Sequence, residues 1–234
     1  MTCRAPAVVA VLSLLSVGCS TPLSVRRAQV LNRGQAEVMV SPQFQVGVLA
    51  DNLGQISTPF FESGGRLSGG RVFGWGEVSA RFGVAERMDL QLRVDPSLLP
   101  EVALGYQFLG ETGVSATRSG TVTVGLKVGA PALFGSAYEH TLVGIPVQLL
   151  YDLPLGEHAV LVTGLRVIPS ITRDYVSVAP GAVAAVSFGG TGPWRFQPEV
   201  AVSANFMGLG KTQVDVAPSF TFGANFGYVF GAGE

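Results

Sequence analysis

Between residues 35 and 230 the dominant signal is alternation of apolar and polar side chains with a period of two, recurring in separate segments, and no apolar run there approaches the roughly 18 residues a membrane-crossing helix needs. In an extended chain successive side chains point to opposite faces, so this pattern makes two-faced strands and cannot make an amphipathic helix. In the run 35 to 50 the even positions hold Ala36, Val38, Val40, Phe44, Val46 and Val48, and the odd positions hold Gln35, Glu37, Ser41, Gln43 and Gln45. The cleanest case is 88 to 95, where Met88, Leu90, Leu92 and Val94 oppose Asp89, Gln91, Arg93 and Asp95. Next to it, Val102, Leu104, Tyr106 and Phe108 oppose Glu101, Ala103, Gly105 and Gln107. The same reading covers 71 to 84, 121 to 131, 141 to 153, 159 to 169, 175 to 189, 194 to 207 and 213 to 230. In 159 to 169 and 175 to 189 both parities are apolar around Arg166, so strands are expected there without an assigned inward face.

Composition decides what such strands build. Only 13% of the residues are charged and the mean hydropathy is +0.41. In lipid every backbone N–H and C=O must be paired internally, so an apolar chain without spanning helices is left with a closed barrel. The expected fold is all-β, a closed antiparallel up-and-down transmembrane barrel of about ten strands over 35 to 230, with eight or twelve if a hairpin is hidden or split. A soluble two-sheet sandwich is the alternative. Net charge is −1 without a basic block, which argues against nucleic acid as a partner.

The first 18 residues carry Arg4 and an apolar run from Ala7 to Val17, too short to span, and read as a secretory signal. The segment Leu15-Ser16-Val17-Gly18-Cys19 that ends it resembles the lipobox of bacterial lipoproteins. The resemblance implies thioether acylation of Cys19 and, with Ser20 rather than Asp following, delivery to the outer membrane. Cys3 falls in the removed part, so Cys19 would be the one cysteine of the mature chain and no internal disulfide can form. Residues 20 to 34, STPLSVRRAQVLNRG, lack sustained alternation and are expected, with Cys19, to form a lipidated tether over 19 to 34. Residues 231 to 234 form a short tail.

A lipid on the periplasmic side would make the first strand run outward and the connection 51 to 70 external. The connections at Ala85–Arg87, Pro154–His158 and Gly190–Pro193 then fall in the periplasm and are short, as in outer-membrane barrels, whereas 110 to 120 is long for that side. Both chain ends are expected in the periplasm. Phe82, Tyr106, Phe108, Tyr151, Phe188, Trp194, Phe196 and Tyr228 lie on the apolar parity at that end, where an aromatic belt belongs, while Phe73 and Trp75 share a parity with Arg71 and Glu77. The last strand resembles the C-terminal assembly signal of bacterial outer-membrane barrels through Thr221, Gly223, Phe226 and Tyr228, with Phe220, Phe222 and Phe230 on the same face. That likeness implies the barrel assembly machinery and outer-membrane lipid as partners; it identifies no subfamily and no small-molecule ligand.

The face opposite the apolar one carries Glu37, Arg71, Glu77, Arg81, Asp89, Arg93, Glu101, Lys127, Asp152, Arg195, Glu199 and Asp215, expected as lumen charges. Their mixed sign points to a lumen filled with ion pairs, since an unpaired buried charge is costly, or to a narrow small-solute channel. The expected function is accordingly non-enzymatic, structural or channel-like, with no cofactor and no metal. The other classes are an outer-membrane enzyme acting on lipid or peptide at the rim and a soluble periplasmic sandwich lipoprotein. For the enzyme, His140 with Glu139 and Ser136 is the one constellation, and neighbours in sequence seldom meet in working geometry. His158 has no evident role, and the glycines Gly64, Gly65, Gly69 and Gly70 lack the Lys-Ser/Thr of a phosphate loop.

Overall fold

In the computed structural model the described residues are 26–47, 66–67, 70–94, 100–112, 118–129, 142–171, 176–189, 192–209 and 215–231. Their strands are β1 (Ala36–Gly47), β2 (Arg66–Leu67), β3 (Gly70–Ala85), β4 (Met88–Val94), β5 (Pro100–Leu109) and β6 (Ser119–Gly129). Then come β7 (Leu142–Gly144), β8 (Val147–Pro154), β9 (Ala159–Ile171), β10 (Val176–Phe188), β11 (Trp194–Leu209) and β12 (Asp215–Phe230). All neighbours pair antiparallel in one sheet, and β1 pairs with both β3 and β12, Ala36 lying opposite Phe82 on one side and Phe230 on the other. The sheet therefore has no free long edge, which excludes the two-sheet sandwich.

The stave count is ten. β7 and β8 form one stave, since both lie between β6 and β9. They are interrupted at Ile145-Pro146 because Pro146 has no N–H for the ladder. The ladder resumes through the Pro146 carbonyl, which accepts from the Gly125 N–H, while the Ile145 N–H reaches the Pro169 carbonyl. β2 is a two-residue extension, Arg66 facing Arg71 on β3. An even count brings the chain in and out at the same end, where Gln35 Nε2 donates to the Gly231 carbonyl. The C-terminal ends of β3, β5, β8 and β10 and the N-terminal ends of β4, β6, β9 and β11 lie at this end too. It is the turn end, since Glu86-Arg87 and 155–158 are tight turns there.

The barrel is inside out relative to a soluble protein. On β5 the burial alternates strictly: Glu101, Ala103, Gly105 and Gln107 are buried, while Val102, Leu104, Tyr106 and Phe108 are exposed. The exposed apolar band continues through Val40, Val78, Leu92, Leu126, Leu149, Leu165 and Val202, residues that water would force inward. Aromatic side chains crowd the turn end of its closing staves. Trp194, 69% exposed, meets Tyr228 edge to face at 4.8 Å, Tyr228 meets Phe230 at 4.8 Å, and Phe196 meets Phe226 at 5.2 Å. The side chains of Phe73 and Trp75 lie outside the described set.

The interior has two walls of different chemistry. On β1 and β3–β6 it is polar and charged, as the alternation predicts. On β8–β11 it is largely apolar, with Leu150, Val160, Val162, Val183, Ala185 and Ala201 in one buried cluster. These strands read as apolar on both parities because one face meets the surroundings and the other meets a buried partner. That partner is Ala28, which belongs to the same cluster and precedes every strand.

Candidate functional site

Residues 26–31 run inside the barrel, so the tether expected over 19 to 34 needs correction from residue 26 onward; Cys19 and the rest of that segment lie outside the described residues. Arg26, Arg27, Ala28, Val30 and Leu31 are all buried. The physical reason is that the lumen supplies what an extended segment lacks on its own, a partner for each buried polar group. The carboxylate of Asp152 (β8) accepts from the backbone N–H of Ala28 at 2.8 Å and of Gln29 at 3.3 Å, and pairs with Arg27 Nε at 3.3 Å. Gln107 (β5) accepts from the Val30 N–H at 2.9 Å. The Thr121 hydroxyl (β6) donates to the Ala28 carbonyl. Arg81 (β3) donates to the carbonyls of Arg27 at 3.3 Å and Gln29 at 3.1 Å. The guanidinium of Arg26 pairs with Asp89 (β4) and donates to the Thr123 hydroxyl.

Two inward glycines make the room. A Cβ at Gly105 would overlap the Arg26 guanidinium and the Asp89 carboxylate, and one at Gly83 would overlap the Asn32 carbonyl. At the mouth the chain turns from the lumen into β1 through Asn32–Gln35, closed by a Gln35 N–H to Asn32 carbonyl bond of 3.0 Å. Gly34 takes φ +87° in that turn, a left-handed conformation that other residues rarely adopt.

Around this segment the other lumen charges are paired as well. Glu101 (β5) meets Arg166 (β9) at 2.7 Å, a contact that spans the intervening staves β6 and β7/β8. Arg93 meets Glu77 at 2.9 Å, and Arg81 meets Glu37 at 3.3 Å and Asp89 at 3.5 Å. Glu199 accepts from Gln43 at 2.8 Å and from Asn225 at 2.7 Å. Among the described residues the buried bases are Arg26, Arg27, Arg81, Arg93, Lys127 and Arg166, and the buried acids are Glu37, Glu77, Asp89, Glu101, Asp152 and Glu199. These six buried bases and six buried acids of the described residues balance with the segment in place, and Arg195 stands apart from them at the rim.

Of the expected lumen charges, Glu37, Glu77, Arg81, Asp89, Arg93, Glu101, Lys127, Asp152 and Glu199 are buried in the interior. Arg195 is half-buried at the turn-end rim, donating to the carbonyls of Gly192 at 2.5 Å and Trp194 at 3.3 Å. The side chains of Arg71 and Asp215 lie outside the described set, as do His140, Glu139 and Ser136. His158 sits exposed in the 155–158 turn. Sequence reasoning missed Arg26, Arg27, Gln107, Thr121, Thr123 and Arg166 as parts of the site. A signal existed for Arg166, an even-numbered residue on the same parity as Val160 and Val162.

No family model and no curated protein matches the chain. Solved structures similar to it include Neisserial surface protein A (NspA), at 12% identity and a TM-score of 0.38, covering 85% of this chain and 100% of that one. Ail, the attachment invasion locus protein of Yersinia pestis, matches at 8% identity and a TM-score of 0.32 over 85% of this chain and 99% of Ail. The outer membrane protein OprG from Pseudomonas aeruginosa matches at 10% and 0.30, over 88% of this chain and 99% of that one. At these identities and scores the likeness carries no functional argument, and the site is read from its own geometry.

Proposed function

We propose that the chain is a lipid-anchored barrel of the bacterial outer membrane, non-enzymatic, whose lumen is held shut by its own N-terminal segment. It acts as a membrane-embedded scaffold rather than as an open pore. The observation that carries this reading is the docking of residues 26–31 in the lumen by Asp89, Gln107, Thr121 and Asp152, on four staves. An open channel needs a continuous aqueous path, and here charged side chains facing inward on β3, β4, β5, β8 and β9 pair with one another or with the segment.

The exposed apolar band supports membrane residence, because burying it in lipid removes it from water, and the aromatic cluster at the turn end suits an interface. Placing the turn end in the periplasm follows from anchoring Cys19 there. Native protein reconstituted in planar bilayers tests the closed lumen: no ion current is expected, and steady conductance from the intact chain refutes it. Mass spectrometry of natively expressed protein tests the anchor, with acylated Cys19 as the expected N-terminus and an unmodified Cys19, or a chain starting after it, as the contrary result.

A further inference from the structure

We infer that the docked segment is a removable plug and that the barrel freed of it is a cation-preferring pore. The inference rests on the closed-lumen reading and adds the latent activity behind the closure. Three observations carry it. The segment is not a stave: it contributes no strand to the sheet, whose closure runs through β1, β3 and β12, so its departure breaks no ladder. Its contacts are side-chain hydrogen bonds, ion pairs and a small apolar contact through Ala28, all of a kind that can be exchanged for water.

The third observation is charge. With the segment present, six buried bases balance six buried acids among the described residues. Taking out Arg26 and Arg27 leaves four bases against six acids, a net charge of −2 among the fully buried described residues, with half-buried Arg195 at the rim outside that count. Asp89 keeps Arg81 as its ion-pair partner, at 3.5 Å. Asp152 loses Arg27 and both backbone N–H groups. Two carboxylates thus lose their bonds to the plug, Asp89 retaining Arg81. Acidic side chains in a narrow passage between low-dielectric walls concentrate cations and repel anions. The glycine clearances at Gly83 and Gly105, needed to seat the segment, become open width once it leaves.

The experiment cuts the plug after the barrel has folded, so folding and gating are not confounded. A site-specific protease sequence is inserted at Arg33, exposed in the 32–35 turn, in a Cys19→Ser background so that only the docking contacts retain the cut piece. The protein is reconstituted in planar bilayers under a KCl gradient and then cut, with release of the fragment followed by mass spectrometry. Before cutting, silence is expected; after release, current with a reversal potential displaced toward that of K⁺, reversed by a synthetic peptide of residues 26–33. Carrying Asp89→Asn and Asp152→Asn in the same cut protein should keep the current and abolish the displacement. Current before cutting overturns the closed-lumen reading itself. Silence after verified release, or current without cation preference, leaves that reading standing and overturns this inference.

Discussion

Replacing Asp152 by Ala removes an anchor that holds three donors of the plug. Its carboxylate receives the Ala28 N–H at 2.8 Å, the Gln29 N–H at 3.3 Å and Arg27 Nε at 3.3 Å. A hydrogen bond to a charged group contributes about 1.5–3 kcal/mol, so one good bond and two long ones come to roughly 3 kcal/mol. Little of that need appear as lost barrel stability. The segment can undock and rehydrate its freed donors, so the loss appears as a larger undocked population, roughly 100-fold at about 1.4 kcal/mol per tenfold. Limited trypsinolysis of the folded protein reads this directly, because cleavage tracks the open population when reclosing outpaces cutting. Cleavage after the buried Arg26 and Arg27 should accelerate roughly 100-fold, while cleavage after the exposed Arg33 stays unchanged. Asp152→Asn, which keeps an acceptor oxygen for the backbone, should give a smaller acceleration. Equal rates after Arg27 in wild type and Asp152→Ala, with the barrel still folded by heat-modifiable gel mobility, would refute the reasoning.

Gly105→Val places carbon where the Arg26 guanidinium and Asp89 carboxylate meet, and it should speed tryptic cleavage after Arg26 without lowering the folded fraction. Leu92→Arg puts a charge on the exposed apolar band and should cost about 2–4 kcal/mol of folding in vesicles, whereas Glu157→Ala in the 155–158 turn should leave folding unchanged; equal folding yields would contradict the outward parity of β4. Glu101→Ala removes the carboxylate that the buried Arg166 meets at 2.7 Å and should destabilise the barrel by about 3–5 kcal/mol in urea titration, while Glu101→Leu with Arg166→Met should recover most of it, since the two opposite buried charges are then lost together.

The barrel was legible because its order is local. On β4 and β5 every residue reports its face through its own polarity, and the observed strands fall within a few residues of the segments read from alternation. Tight turns at Glu86-Arg87 and 155–158 punctuate that pattern. The plug was not legible, for a related reason. Residues 26–31 make their bonds to β3, β4, β5, β6 and β8, so their conformation is dictated by several distant staves and leaves no period in RRAQVL. Its traces lay elsewhere in the sequence. The inward parity of 159 to 188 is too apolar for a water-filled lumen, with Val160, Val162, Val183 and Ala185 needing something to pack on. Gly83 and Gly105 interrupt lumen faces that otherwise carry larger side chains. Arg166 escaped assignment because the apolar wall around it hid which parity faced in.

The pairing of β1 with β12 has a consequence for the order in which this protein assembles. The seam joins Ala36 to Phe230, so the contact that completes the cylinder is also among the most distant along the chain. Hairpins such as β3–β4 and β4–β5 can zip early, at little loop entropy, while the seam must wait for the last strand to arrive. The plug hangs directly from the first strand through the Asn32–Gln35 turn, and its receptors Asp89, Thr121 and Asp152 sit on hairpins that precede the seam. A half-curled sheet therefore already offers the segment its binding groove, with the lateral gap still open. Capture at that stage would draw β1 toward the curling sheet and hold it near the position where β12 must meet it, making the plug a template for closure as well as its stopper.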